Sequence, residues 1–395
     1  MKARNIMIAA AFAALAILSA GCKKHSWRPE PGTQIRFRAE SDASGKAADT
    51  KTVYSGEYYK INSDDENPYE RIDWVEGDRI SIGYVSYGGA DGLCAKYDHY
   101  RIDSASEDGY KSKATLLPTG GPYGGNGLQW TNNTYHRFFA TYPAVDASDS
   151  DFWFKITDND LDVQVPYNYP ETQVPVATED KTITFCGEEA TAALYKPDMS
   201  YAYLFSNPYD SYGSDAILPT GGTINLPFVP HFTAFEVTAA AKEGESFPLN
   251  SITISSRDSD RPLTGTYLFK HMGDDRWEDV PKEGATSQKA TVNFEGLTLT
   301  DSRPVIATFI VRGWNSLTKL VLTFNIVKDG KNVNRSIRLT GDQYNNGSFD
   351  SESGWYWFNS QTKHRITNLR VPLEANAVWF EGVSAGEFEN VDLDF

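Results

Sequence analysis

Three cysteines in 395 residues exclude a disulfide framework as what holds this chain together. Methionine is scarce, at four residues, and no long amphipathic helical pattern appears. Basic residues are in deficit: 37 Lys+Arg stand against 53 Asp+Glu, a formal net charge of −16. Such a surface repels phosphate, which excludes non-specific nucleic-acid binding. After Cys22 no apolar run is long enough for a second membrane helix. Common catalytic signatures are missing as well. There is no HExxH zinc helix and no GxxxxGK[ST] phosphate loop, and the glycines from Gly120 to Gly127 do not match GxGxxG. Cys94 and Cys186 lie too far apart in sequence to form a zinc-type pair.

Three weaker signals read as ordinary structure. A GxSxG match at Gly382–Gly386 has no His after it to complete a triad, so it is a chance match. Asp158, Asp160 and Asp162 have calcium-like spacing. The sixth and twelfth positions of such a loop, however, hold Val163 and Tyr169 instead of Gly and Glu. An acidic loop entering a strand is the better reading. His231, in FVPHFTAF, reads as a packed structural residue. No catalytic residue, metal or cofactor is assigned, and the expectation is a binding or structural role, not an enzyme.

Hydrophobic residues make up 40% and charged residues 23%, which fits a globular chain. Aromatics reach 13%, with 22 Tyr, 21 Phe and 9 Trp, and favour strands. Period-2 alternation dominates. Ile35, Phe37 and Ala39 alternate with polar residues, as do Ile80, Ile82 and Tyr84. So do Phe152, Phe154 and Ile156, and Leu161, Val163 and Val165. Phe232–Val237, Ile252–Ile254, Val305–Val311 and Leu320–Ile326 also read as strands, and Ala190–Leu194 as a turn or so of helix. Short runs split by Gly, Asn, Asp and Pro clusters predict an all-β fold of two antiparallel β-sandwiches. The Tyr-, Asp- and Gly-rich stretch 208–222 places the division near residue 215. The expected units are therefore 33–215 and 216–395.

Residues 1–21 read as an export signal: Lys2 and Arg4, an apolar Ile6–Leu18 segment, then small residues before Cys22. This resembles a bacterial lipoprotein signal, with Ser19 where a Leu is usual, and implies diacylation (palmitate among the chains) at Cys22. A plain secretory signal with an incidental cysteine is the alternative. Two or three acyl chains tether stably where one does not. Residues 22–32, with Pro29 and Pro31, form a linker. Export permits a Cys94–Cys186 disulfide, and two free thiols are equally compatible.

Several phrases carry a family resemblance together. They are Ile72-Asp-Trp74-Val-Glu76-Gly77-Asp78-Arg79-Ile80-Ser-Ile82, then Tyr135-His-Arg-Phe138-Phe139-Ala140-Thr-Tyr142-Pro143. Later come Leu226-Pro-Phe228-Val-Pro-His231-Phe232 and Lys363-His-Arg-Ile366-Thr-Asn368-Leu369. In this order they resemble the fimbrillin-like (Mfa-like, FimA-type) lipoproteins of the Bacteroidetes, over nearly the whole mature chain. Locally, Gly77-Asp78 reads as a hairpin turn, with Trp74, Ile80 and Ile82 on one core face.

The resemblance implies two transthyretin-like sandwiches and a role as anchor, tip or shaft subunit of an adhesive surface fimbrium. It implies that a protease removes the first strand and that a neighbouring subunit's strand refills the groove, a form of strand addition. Mapped onto this chain, the displaced strand is Ile35, Phe37 and Ala39, and the donor is Val391, Leu393 and Phe395. An ordinary terminal strand within its own domain is the alternative for the latter. The family's processing residue is an arginine after the first strand, whereas this loop has Lys46, followed by Lys51, and Arg38 lies within the strand; cleavage at a Lys, at Arg38 or not at all stays open, and an uncleaved chain would keep its lipid as an anchor or terminating subunit. Expected partners are other fimbrial subunits, the outer membrane through the lipid, and a host protein or glycan. The competing reading is a monomeric surface lipoprotein that binds host or dietary glycan.

Overall fold

The computed structural model describes residues 30–42, 53–59, 69–108, 111–119, 126–158, 160–185, 188–206, 223–241, 244–271, 277–314, 317, 319–328, 330–342, 349–350, 355–359 and 366–370. Among them the chain is all-β, as the alternation predicts. The one helical element is a 3₁₀ turn at Met199–Tyr201, where the Asp198 side chain accepts the Ser200 N–H. The strands begin with β1 (Arg36–Asp42), β2 (Val53–Tyr59), β3 (Tyr69–Asp73), β4 (Arg79–Tyr87), β5 (Cys94–Asp108), β6 (Lys111–Pro118) and β7 (Tyr135–Tyr142). Next come β8 (Trp153–Thr157), β9 (Asp160–Tyr169), β10 (Thr172–Gln173), β11 (Ala177–Phe185), β12 (Glu188–Lys196), β13 (Leu204–Ser206) and β14 (Thr223–Pro230). Then follow β15 (Phe232–Ala239), β16 (Ser246–Ser256), β17 (Thr264–His271), β18 (Trp277–Ser287), β19 (Lys289–Asn293) and β20 (Thr298–Thr300). The last are β21 (Val305–Arg312), β22 (Lys319–Lys328), β23 (Lys331–Asp342), β24 (Phe349–Asp350), β25 (Trp355–Asn359) and β26 (Ile366–Arg370).

The first sheet closes on itself in the order β1-β14-β13-β7-β4-β5-β6. β1 is the closing strand, parallel to β14 and antiparallel to β6. A four-stranded sheet, β18-β17-β9-β8, covers the outside of β4 and β7. Gly83 on β4 makes this close approach possible: a Cβ there would sit 2.6 Å from the Phe154 ring of β8. Phe139, Phe205 and Phe269 stack across the same seam. Because β4 is covered on both sides, seven of its nine residues are buried in a row.

A second core is built between β15 and β21 on one side and β16, β19, β22 and β23 on the other. β15 belongs to both cores. Phe232 and Ala234 face the first, and Phe235, Val237 and Ala239 face the second. Two buried faces explain why FTAFEVTA is buried throughout.

Some local expectations are revised. Among the described residues five ladders are parallel: β1–β14, β10–β19, β12–β21, β15–β26 and β23–β25, so the sheets are mixed and not purely antiparallel. Ala190–Leu194 is not helical but lies in β12, paired with β11 and β21. Burial of Ala192 and Leu194 against Ile306 overrides the weak helix preference of alanine. Gly77 does turn, with φ of 92°, but β3 and β4 do not form a hairpin. β3 pairs with β2, while β4 runs between β5 and β7. Trp74, Ile80 and Ile82 nonetheless share one core. The expected division at 215 falls within 207–222, outside the described residues. Strands from both sides of it pair directly, as in β9–β17, β12–β21 and β1–β14.

Candidate functional site

Sequence alternation and structure agree closely at the first strand. Ile35, Phe37 and Ala39 are at most 3% exposed, whereas Arg36 and Arg38 project into solvent. The backbone is engaged on both sides. Arg36 to Ser41 pair with Thr223 to Phe228 of β14, and Arg38 to Asp42 with β6. Ahead of β6, the stretch that follows the glycine-rich loop takes over. Ile35 N–H donates to the Leu128 carbonyl (2.8 Å), Gly32 N–H to Trp130 (2.8 Å), and Trp130 N–H returns to Thr33 (3.0 Å). That stretch is itself pinned from inside, because the Tyr100 hydroxyl accepts the Leu128 N–H at 2.7 Å and the Tyr84 hydroxyl donates to the Gln129 carbonyl. Burial pushes the Tyr100 hydroxyl far above its ordinary pKa, so it stays protonated.

Each inward side chain has its own seat. The Phe37 ring meets Tyr100 and Phe138 edge-on, with both centroids 5.3 Å away. Ala39 lies between Leu226 and Ala114 of the neighbouring strands, with no exposed surface. Beyond it, the Trp74 ring packs at the end of the barrel against Phe228 and Tyr142, and its backbone N–H donates to Ser112 Oγ. Without β1 the sheet would carry two open edges and an uncovered core.

Of the residues singled out from sequence, Ile35, Phe37, Ala39 and Arg38 are thus brought together on β1. Cys22, Lys46, Lys51, Val391, Leu393 and Phe395 lie outside the described residues, as do Ser384 and Cys186. Cys94 is a free thiol 3.4 Å from Ser86 Oγ. Asp162 serves the β8–β9 hairpin, where it accepts the Trp153 indole N–H and the Thr157 hydroxyl, with Asp158 at the turn in a φ of 52°. Among the described residues no group of His, Cys, Asp and Glu could hold a metal ion.

Sequence reading missed a buried polar pair at Ser81 and His99 and the partners of His231 in a second cluster. Ser81 Oγ lies 3.0 Å from His99 Nδ1, a cross-strand pair on β4 and β5, but it also accepts the Val145 N–H. Asp98 accepts the His99 backbone N–H, not the ring, so no relay of the triad type is assembled. Burial, reinforced by Arg79, pushes His99 below its ordinary pKa.

The second cluster surrounds His231. Its Nε2 lies 2.8 and 2.9 Å from the two Asp279 oxygens, and Arg312 is 3.7 Å from the same carboxylate. The Arg312 guanidinium stacks between Tyr267 and Trp314, at 4.4 and 3.9 Å from the ring centroids. Tyr167, Phe205 and Phe269 wall the imidazole. Burial pushes the Asp279 carboxyl up, but the His231 hydrogen bond and the electrostatic pull of its neighbours, Arg312 among them, outweigh it and hold the pKa below the ordinary value. Burial also drives the Tyr167 and Tyr169 hydroxyls well up. His231 is therefore packed and hydrogen-bonded, and it joins β18 and β21 to the end of the first barrel.

No family model matches the chain, and no curated protein matches it. Among solved structures the chain is similar to a candidate cell-adhesion protein of Bacteroides ovatus, with a TM-score of 0.38 and 12% identity over 79% of this chain and 87% of the other. It is also similar to a candidate cell-adhesion protein of Bacteroides fragilis, with a TM-score of 0.34 and 14% identity over 84% of this chain and 91% of the other.

Proposed function

We propose that this chain is a structural component of an adhesive cell-surface fimbrium, assembled by strand addition or exchange. Lipid on Cys22 holds it to the outer membrane, at least as a precursor. The reading assigns the chain no turnover and no cofactor. The observation that carries it is the position of β1. A strand at the amino-terminal end of the fold fills a slot between β14 and β6 with alternate side chains inward. Such a strand can be withdrawn without cutting the chain elsewhere, and its removal leaves a ready template for another strand. The ordered phrases around Trp74, Tyr142 and His231 support the reading from the sequence side.

Processing follows from the same geometry. Arg38 is hydrogen-bonded into the sheet on both sides, so a cut there would divide the strand. Lys46 and Lys51 lie past its end, and a cut at either removes β1 whole. Val391, Leu393 and Phe395 then supply the alternating apolar face that a neighbouring subunit's groove requires.

The test uses protein isolated from its native cell surface. The expected result is a ladder of SDS-resistant multimers whose amino terminus lies between Arg38 and Thr52. A single monomeric species with acylated Cys22, together with saturable glycan binding, would replace the proposal with a monomeric surface receptor.

A further inference from the structure

The slot of β1 is unusually explicit about what it accepts. Reading along the strand in its own direction, Ile35 meets the Leu128 stretch, Phe37 enters an aromatic seat, and Ala39 enters a closed one. The aromatic seat is rigid, because Tyr100 is pinned by Leu128 and the Phe138 ring is packed in turn against Tyr84 and Trp130. The Ala39 position is sealed from solvent: Leu226 and Ala114 flank it, both nearly fully buried, and the Trp74–Phe228 pair packs beyond. Between these seats Arg36 and Arg38 face solvent and impose no demand. The polarity is fixed too, because the strand must run parallel to β14 and antiparallel to β6.

Resting on the strand-exchange reading above, we infer that the β14–β6 groove is a shape-selective strand receptor. It recognises the order branched–x–aromatic–x–small, and it keeps β1 seated after the chain beyond it is cut. Main-chain hydrogen bonds on both edges hold the strand without regard to its sequence, and the three seats select among strands. A cut after β1 removes only its covalent tether. It breaks none of the hydrogen bonds to Thr223–Phe228, Leu128 or β6, and it uncovers none of the three side chains. The groove therefore opens by competition and not by cleavage alone. The same order restricts the donor. With Val391, Leu393 and Phe395 set directly on positions 35, 37 and 39, Phe395 would fall on the closed Ala39 seat. Moved along by one pair, Leu393 takes the Ile35 place and Phe395 the aromatic seat.

The test uses the mature chain with a sequence-specific protease site substituted at 44–49. After cutting, native mass spectrometry should find the β1 peptide still bound, and denaturing electrophoresis should find it severed. Immediate loss of the peptide on cutting would overturn the inference. The cut protein is then stripped of its peptide in urea and refolded with synthetic peptides of residues 30–42. The native peptide should rebind, while the Ala39→Phe and Phe37→Ala peptides should bind about 100-fold more weakly, the first because it overpacks a sealed seat and the second because it loses one large buried contact. Equal binding of all three would also overturn it. These substitutions sit in the peptide, so folding of the body is not at stake. If the native peptide rebinds selectively but the stripped protein never multimerises, and a peptide of residues 385–395 fails to compete, the receptor stands and the fimbrial reading falls.

Discussion

Replacing Asp279 by Asn tests what the buried cluster around His231 does. The substitution keeps the side chain's shape and an acceptor for His231, and removes only the negative charge. At 3.7 Å, the attraction between Arg312 and the carboxylate is about 4–5 kcal/mol at an effective dielectric of about 20. The cost of burying the two ions offsets much of this in the wild type. The variant keeps the buried guanidinium between Tyr267 and Trp314 without its anion, a situation that typically costs about 3–5 kcal/mol. We expect a loss of about 3 kcal/mol for Asn and more for Ala, read from urea unfolding near pH 7 by tryptophan fluorescence. The Asp279 carboxyl titrates below its ordinary value in the folded state. Its contribution is therefore present above the unfolded pKa of about 4 and is lost as pH falls through the folded one. The gap between wild type and Asn should narrow on acidification. High salt should leave it largely intact, because buried pairs are weakly screened. A loss under about 0.5 kcal/mol at pH 7, or a gap that does not change with pH, would refute the ionic account.

His136 adds a loss of stability in the same direction, in a higher pH window. Burial pushes its pKa down to about 4, and its Nε2 accepts the Thr131 N–H, so the neutral ring is the folded form. The unfolded chain binds the proton more readily, so stability should fall by about 3 kcal/mol between pH 6.5 and 4. His136→Gln should flatten that slope, and identical slopes in urea midpoints would contradict it. Gly83→Val should cost about 1–3 kcal/mol by driving a methyl into the Phe154 ring. Most of that should return in the double variant with Phe154→Ala, and strict additivity would show that the two do not touch. Phe37→Ala should destabilise by about 3–5 kcal/mol, while Arg38→Ala, facing solvent on the same strand, should stay within about 0.5 kcal/mol in the same assay.

The contrast between Phe37 and Arg38 shows what was legible in the sequence. Which face of a strand is buried is a period-2 property, and it was readable at Ile35, Phe37 and Ala39 and at Val163 and Val165. Which strand lies alongside is not local. Nothing near Ile35 indicates that its strand runs parallel to one starting at Thr223, or that β15 serves two cores at once. His231 was readable as a packed residue, because FVPHFTAF is a strand entry of apolar neighbours. Asp279 and Arg312 were not readable as its partners, because three distant strand ends bring them together. The two errors of local reading share a cause. Alanines at 190, 192 and 193 and the turn at Gly77 have intrinsic preferences of about 1 kcal/mol or less, and the pairing of β12 with β21 and of β3 with β2 outweighs them.

The parallel contact of β1 with β14 also sets a schedule. Arg36 cannot meet Thr223 until nearly two hundred further residues have been synthesised and have found their own partners. Contacts of such high sequence separation form slowly, because a long loop must close before they repay its entropy. The barrel is therefore sealed late in folding by the part of the chain that left the ribosome first. Throughout that interval the chain carries an open seam next to its own unseated strand. Local concentration along one chain favours self-closure, and under the proposed exchange a crowded neighbour competes for the same seam. On the proposed assembly by strand exchange, closure and exchange compete during folding, and the first strand is the chain's own entry in that contest.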